Sequence, residues 1–184
     1  MTAEQGRKKR WRWYHGVLFQ ADAELLSYGL GKLAERATGN KSTREAQDEY
    51  FDSLAQPKFA PPGPTFPLAW AVNNAARAAG MVHVLNMPEG TPGRVTYLTL
   101  QGASLLNYAS FNPLYFGLRS PVNGAVTTLI DVGLNAGSFA LAVREIKDAK
   151  TAASLSTTLP WLALASAVSV SVALWNEDNF YGLS

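Results

Sequence analysis

The sequence predicts an all-α fold, an integral membrane bundle of five transmembrane helices with a polar N-terminal extension. Three observations support this class. Charged residues make up 16% of the 184 residues, below the roughly 25% of an ordinary soluble domain. Most charges fall in residues 1–60, a concentration that the mean hydropathy of -0.04 conceals. Beyond Pro64, four windows are long enough to cross a hydrocarbon core, which takes about 20 helical residues.

The elements follow from these windows in chain order. A basic extension occupies residues 1–13, and a membrane domain occupies residues 14–180. The predicted helices of this domain cover residues 14–34, 65–87, 95–118, 121–146 and 151–176, and a polar loop covers residues 35–64. Proline, glycine and charged residues separate the last four windows, which is typical of short connections between helices. A soluble helical bundle is the alternative, but these windows lack the charged outer face that a surface helix needs.

The first helix, residues 14–34, is the degenerate one. Its leucines recur at helical spacing, but Asp22 and Glu24 lie inside the window. The helix spans the membrane only if these two acids face protein. In the other interpretation it lies in the membrane interface, anchored by Trp11 and Trp13 beside the basic cluster. We favour the span.

Basic residues indicate how the bundle is oriented. With five spans, the N-terminus and the connections at 87–95 and 144–150 share one side. Nine basic residues lie there: Arg7, Lys8, Lys9, Arg10, Arg12, Arg94, Arg144, Lys147 and Lys150. The positive-inside rule places this side in the cytoplasm or the mitochondrial matrix. The expected location is a mitochondrial membrane in a eukaryote, or the plasma membrane in a bacterium.

The composition also excludes several chemistries. Cysteine is absent, which rules out disulfides and thiol catalysis. The sequence has no phosphate-binding loop, no HExxH motif and no nucleophile elbow, and its two histidines lie far apart. No nucleic-acid-binding motif accompanies the basic N-terminus. We therefore predict a protein that is not an enzyme, holds no metal and binds no nucleic acid, and whose first partner is the lipid bilayer.

Two ionisable residues lie deep in the predicted spans. Arg77 is eleven residues into the second helix, and Asp131 is near the middle of the fourth. Ionisable groups at such depth are costly and normally face a partner or a cavity. The two residues therefore form either a pair that lines a polar pocket or a structural ion pair between helices, and we favour the structural pair.

Three ordered motifs carry a resemblance to a known family. Residues 54–70 contain LAQPKFAPP followed by FPLAW, residues 107–119 read NYASFNPLYFGLR, and residues 159–163 read LPWLA. In this order and at these distances the motifs resemble those of the TspO/MBR family of translocator and tryptophan-rich sensory proteins, over about residues 50–180. The chain resembles a divergent member, with Asn179 where the family ends its fifth helix with asparagine.

The resemblance implies a cavity between the helices that binds a hydrophobic molecule, either a porphyrin or haem-like tetrapyrrole or a sterol. The implied ligand-binding positions, together with the deep polar pair, are Trp70, Asn74, Arg77, Tyr108, Phe111, Asn112, Asp131 and Trp161. The chain departs from the family at several of the positions that contact ligand. Phe59, Pro64 and Leu164 stand where the family has tryptophan, Asn74 where it has an aromatic residue and Val172 where it has asparagine.

Two functions remain open at this stage. In the first, the chain binds or transports such a molecule. In the second, it has lost the pocket and serves as an accessory structural subunit of a larger membrane complex, such as a mitochondrial respiratory complex or ATP synthase. The resemblance also implies a homodimer. The close-approach pairs Gly133–Gly137 and Ala76–Gly80 suit a dimer face and packing within the bundle equally well.

Overall fold

The computed structural model describes residues 10–183. Arg7, Lys8 and Lys9 of the predicted basic extension lie outside this range. Within it, the secondary structure is helical apart from turns and one isolated bridge between Asp178 and Leu183. The predicted all-α class is confirmed.

The helices occupy seven segments of the described chain. They are α1 Trp13–Thr38, α2 Arg44–Ser53, α3 Thr65–Leu85, α4 Arg94–Asn112, α5 Pro121–Leu141, α6 Ala149–Ala153 and α7 Thr158–Trp175. Two π-helical turns, Pro113–Gly117 and Ala142–Ile146, extend α4 and α5. These bounds differ from the predicted windows in two places.

The first difference is α2, which lies inside the segment predicted as a polar loop, residues 35–64. Thr43 begins the helix because its side chain accepts a hydrogen bond from the backbone amide of Ala46. Arg44 then donates to Asp48 at 3.2 Å, an i,i+4 pair of exposed side chains. The loop prediction was wrong here because charge density hid a short, well-capped helix.

The second difference is a break in the fifth predicted helix, residues 151–176. The Asp148 side chain caps the short helix α6 by accepting from the amide of Thr151 at 2.7 Å. α7 then begins separately, with Pro160 in its first turn. A proline is tolerated there but cannot continue a helix that arrives from upstream, because it lacks an amide hydrogen and its ring clashes with the preceding turn.

Helix α1 follows the bundle from one end to the other. Near its start, Gly16 packs against α3, where a Cβ built on it would lie 3.2 Å from the Cβ of Ala78. Near its end, Thr38 donates to the carbonyl of Gly117 at 3.0 Å. A helix that accompanies its neighbours over this length has the geometry of a span, not that of a helix lying across the end of a bundle.

The two faces of α1 are also those of a membrane helix. Its buried residues are all small: Gly16, Ala23, Ser27 and Gly31. Its exposed face carries large apolar side chains, among them Leu18, Leu25, Leu26 and Leu33. A soluble amphipathic helix shows the reverse arrangement. Both acids are exposed, but Glu24 accepts a hydrogen bond from Tyr108 of α4, whereas Asp22 lies on the apolar face of α1. Only Glu24 therefore meets the requirement that an acid in this helix faces protein.

Glycines allow the helices to approach closely inside the bundle. A Cβ at Gly80 would lie 2.7 Å from the Cβ of Ser154, and one at Gly137 would lie 3.2 Å from Leu100 Cδ1. A Cβ at Gly133, by contrast, would meet no atom of another residue within 4 Å outside its own helix backbone. Gly80 and Gly137 therefore serve packing within the chain, and the homodimer stays a prediction.

Side-chain hydrogen bonds fix the chain at the end of the bundle where α7 finishes. Asn176, not the expected Asn179, ends α7, and its side chain exchanges two hydrogen bonds with the backbone of Ala55. The Asp178 carboxylate is fully buried and accepts from the Ser120 hydroxyl at 2.6 Å and the Val122 amide at 3.0 Å. It thereby covers the N-terminus of α5, where a negative charge is stabilising.

Two segments are apolar enough on their own to cross a membrane. They are Pro121–Ile146 and Ala149–Trp175, with mean hydropathy of 1.5 and 1.6. Two of the other predicted spans carry polar residues that the bundle buries. In α3 these are Asn73, Asn74 and Arg77, and in α4 they are Gln101 and Ser104.

Candidate functional site

A cavity of about 900 Å³ lies between α1, α3, α4, α5 and α7, under α2. Its wall is mostly apolar, as in ligand sites generally. Aromatic residues that line it are Trp13, Phe51, Phe66, Trp70, Tyr108, Phe111, Tyr115 and Phe116. Polar residues that line it include Glu24, Asn74, Asn107, Asn112, Thr127, Thr128 and Asp131.

Aromatic rings from α3, α4 and the π-helical turn after α4 form packed pairs in one wall of the cavity. The rings of Trp70 and Tyr108 are tilted, with centroids 6.1 Å apart, and those of Phe111 and Tyr115 are 5.3 Å apart. Trp161 of α7 supports this wall from outside the cavity, edge-on to Trp70 at 6.3 Å. Tilted and edge-on arrangements are those that aromatic pairs prefer, so the wall holds its shape without a ligand.

Helix α2 covers the cavity at the end where α3 begins. Phe51 meets Phe66 of α3 edge-on at 5.6 Å, and Tyr50 lies 5.7 Å from Tyr115. The guanidinium of Arg119 lies 5.7 Å above the Tyr50 ring. Burial raises the pKa of Tyr50 to about 12, so its hydroxyl is neutral at physiological pH. Helix α2 therefore covers the cavity with uncharged aromatic side chains, like those of the wall beneath it.

The floor of the cavity is a buried polar network between α3, α4 and α5. Arg77 and Asp131 are 2% and 3% exposed, and Arg77 Nη1 lies 3.8 Å from Asp131 Oδ2. Ser104 joins the two charges: its hydroxyl accepts from Arg77 and donates to Asp131. Gln101 accepts from Arg77 Nε at 3.3 Å, and Asn135 donates to Ser104 Oγ at 3.1 Å.

Both interpretations of the Arg77–Asp131 pair, a pair that lines a pocket and a structural pair between helices, apply in part to this network. Asp131 lines the cavity, whereas Arg77 lies behind it and outside the lining. Because each charge is matched by the other and hydrogen-bonded to Ser104, the pair links the three helices and leaves a nearly neutral floor.

The structure brings six of the eight predicted site residues to the cavity. They are Trp70, Asn74, Tyr108, Phe111, Asn112 and Asp131. Arg77 and Trp161 do not line it but contact residues that do. The sequence analysis missed Phe51, because α2 was read as a loop, and missed Thr127 and Thr128, because neutral hydroxyls give no signal in an apolar window.

Glu24 is the other residue that sequence reasoning did not place at the site. Its Oε1 accepts from the Tyr108 hydroxyl at 2.6 Å and from Gln20 Nε2 at 3.2 Å, which ties α1 to α4 at the cavity wall. An acid within a predicted span was the available signal, since such a residue normally faces a partner or a cavity.

A helical bundle with a buried ion pair between its long helices, apolar outer faces and an internal cavity is the architecture of a polytopic helical membrane protein. The sequence profile of the TspO/MBR family matches residues 26–175, most of the chain, so the chain belongs to the TspO/MBR family. The resemblance seen in the motifs is thus confirmed, and the chain is a membrane protein of that family. No curated protein sequence matches it significantly.

Proposed function

We propose that the chain binds a flat, hydrophobic small molecule in the cavity between its helices, and transports or senses that molecule without chemical change. The observation that carries this proposal is the cavity itself, about 900 Å³ with an aromatic wall. Pockets for drug-sized ligands measure about 300–1,000 Å³ and combine apolar walls with a few polar groups. The departures from the family pattern at Phe59, Pro64 and Leu164 have therefore not closed the chamber.

The polar residues suit a ligand whose edges form hydrogen bonds. Asn74 is 5% exposed and lies beside the Trp70 and Tyr108 rings in the cavity wall. Thr128 donates its hydroxyl hydrogen to the carbonyl of Gly124 in its own helix at 2.8 Å, so its oxygen is left to accept from a ligand. A porphyrin-like or sterol-like ring system placed against Trp70 and Phe111 would keep such polar groups at its edge.

The experiment compares a variant that fills the cavity with one that does not. Protoporphyrin IX is titrated against the tryptophan fluorescence of the purified protein in neutral detergent. We expect saturable quenching for the native chain and at least about tenfold weaker binding for Thr128→Phe, because the added ring would occupy space in the cavity that the ligand needs.

Leu129→Phe is the matched control. Leu129 is the next residue of α5 and is 50% exposed on the outer face. Its enlargement should leave quenching unchanged. If both variants quench like the native chain, or if the native chain never saturates, the ligand is not in this cavity and the proposal fails. A cholesterol analogue run as competitor distinguishes a sterol from a tetrapyrrole as the preferred ligand.

A second candidate function is that of an accessory subunit in a larger membrane complex, and Asp22 favours it. This acid is exposed on the apolar face of α1 among Leu18, Leu25 and Leu26, and it has no hydrogen-bond or ion-pair partner within residues 10–183. A charge facing lipid is costly. A partner helix that carries a basic group at this depth would neutralise it.

The two candidates separate in a mild-detergent purification from native membranes. For an accessory subunit, we expect the chain to migrate with a stoichiometric set of partners, and Asp22→Leu to release it. Asp48→Leu, an exposed acid of α2 away from that face, should not. If the native chain migrates alone, without partners, and Asp22→Leu leaves its migration unchanged, the subunit role is ruled out.

A further inference from the structure

We propose that the cavity selects an aromatic molecule bearing one positive charge, and that Glu24 is the residue that selects it. This inference rests on the proposed function and names its ligand class. It starts from the charged side chains in the wall of the cavity, which are Glu24, Arg44, Asp48 and Asp131. Their charges do not cancel to zero.

Three of the four charges are already neutralised by partners. Arg44 Nε lies 3.2 Å from both carboxylate oxygens of Asp48 on the same face of α2. Asp131 is matched by Arg77 behind the floor. Glu24 is the remaining carboxylate, and within residues 10–183 no Lys, Arg or His nitrogen forms an ion pair with it.

The hydrogen bonds of Glu24 leave one oxygen available. Both of its donors, Tyr108 and Gln20, are neutral, and both bind Oε1. Oε2 has no hydrogen-bond donor in the described part of the chain. Tyr108 also holds the carboxylate in place, since its ring belongs to the aromatic wall beside Trp70. The carboxylate is therefore fixed at the cavity with a free acceptor.

This arrangement distinguishes ligands by charge. An ammonium or amidinium group at Oε2 forms a charge-assisted hydrogen bond, and its aromatic body lies against the rings of Trp70 and Phe111, whose faces attract cations. A ligand that places a carboxylate at this position instead meets the like charge of Glu24. The match to the TspO/MBR family begins at residue 26, so Glu24 lies outside the region that family membership describes.

The test uses three probes that share one ring system and differ only in charge. They are 1-pyrenemethylamine, a cation at neutral pH, neutral 1-pyrenemethanol and anionic 1-pyrenecarboxylate. Binding to the purified full chain in neutral detergent is followed by energy transfer from tryptophan to pyrene, with protein-free micelles as blank. We expect the amine to bind at least about tenfold more tightly than the alcohol, and the carboxylate most weakly.

Variants assign the preference to one side chain. In Glu24→Gln, we expect the amine to lose its advantage while the alcohol binds as before, which also shows that the cavity is intact. In Glu24→Lys, we expect the carboxylate to become the tightest ligand. Asp22→Asn removes the same charge two residues away on the outer face of the same helix, and it should keep the native ranking.

The possible outcomes distinguish a failure of this inference from a failure of the proposed binding function. If the three probes bind equally, or the carboxylate binds best, the native chain does not select a cation and the inference is overturned while the binding function stands. If the ranking survives Glu24→Gln, another group selects the charge and the assignment is overturned. If no probe binds saturably, the binding function falls together with the inference.

Discussion

Ser104 connects the two charged side chains at the centre of the bundle. Its hydroxyl accepts from Arg77 and from Asn135 and donates to Asp131, so every hydrogen-bonding capacity of that oxygen is used. Sequence reasoning identified Arg77 and Asp131 because charge is conspicuous in an apolar window. It did not identify Ser104, since a serine in a membrane helix more often bonds to its own backbone.

Removing one member of the buried Arg77–Asp131 pair should cost far more stability than replacing both members with apolar residues. Removing one partner leaves an uncompensated buried charge, which costs about 3–5 kcal/mol, whereas replacing both with apolar residues is often neutral. We expect Arg77→Met to lower the thermal midpoint of aggregation in detergent strongly, and Arg77→Met combined with Asp131→Leu to recover most of the loss. Losses that simply add in the double variant would contradict a coupled pair.

Asp148 makes stability depend on pH at the end of the bundle where α6 begins. The backbone amide of Thr151 donates to this carboxylate, and that bond lowers the pKa of Asp148 below its ordinary value of 3.8. His83 Nε2 lies 3.0 Å from the same oxygen. Because the folded pKa is lowered, the stabilisation is present above about pH 4 and disappears as pH falls through the folded value.

We therefore expect Asp148→Ala to be less stable than the native chain at pH 7, by about 0.5–2 kcal/mol, the cost of losing a helix cap. The difference should shrink when unfolding is measured near pH 3. Asp52→Ala removes an exposed acid of α2 and should show no such pH-dependent difference. A gap that persists unchanged in acid would mean that the carboxylate charge is not what stabilises α6.

At the scale of the element, hydrophobic windows and breakers predicted where the long helices lie. They did not predict α2, whose signal is a cap at Thr43 instead of a hydrophobic period. They placed the start of the last helix too early, although Pro160 was visible in the sequence. The cavity was predicted only from the family resemblance, because its wall combines residues from six helices that no local pattern relates.

Close helix packing gives a prediction at the same scale. Gly80 of α3 faces Ser154, and an added Cβ would lie 2.7 Å from the serine Cβ, too close for any side chain. We expect Gly80→Ala to destabilise the protein by about 1–3 kcal/mol, the usual cost of overpacking. Ser154→Gly in the same chain should restore much of the stability by making room for the methyl group.

Gly133→Ala is the control for that measurement. Nothing lies within 4 Å of the position where its Cβ would sit, although it too is a glycine in a membrane helix. Its thermal midpoint should stay at or slightly above the native value, since alanine favours a helix. Equal losses at the two glycines would show that helix propensity or membrane insertion, and not the contact with Ser154, decides the outcome.

At the scale of the whole molecule, hydrogen bonds assign the connections to two ends. Asn86 exchanges hydrogen bonds with the backbone of Trp11, and His83 meets Asp148, so the N-terminal end of α1 and the connections after α3 and α5 share one end. Asn176 joins Ala55 at the other end. The basic residues predicted to face the cytoplasm or matrix therefore lie together wherever the structure describes them.

The absence of cysteine makes this topology directly testable. Single cysteines replace exposed residues in otherwise native chains: Glu89 and Lys150 at the basic end, Lys41 and Glu177 at the other. In sealed membranes of native orientation, we expect an impermeant maleimide added outside to label the second pair only, and to label the first pair after permeabilisation. The reverse pattern would invert the orientation and leave the fold unaffected. Two results together would mean that the bundle does not span the bilayer: equal labelling of all four cysteines in sealed membranes, and extraction of the chain by alkaline carbonate. A lipid-buried helix keeps its backbone polar groups bonded internally and does not leave the membrane on such washing.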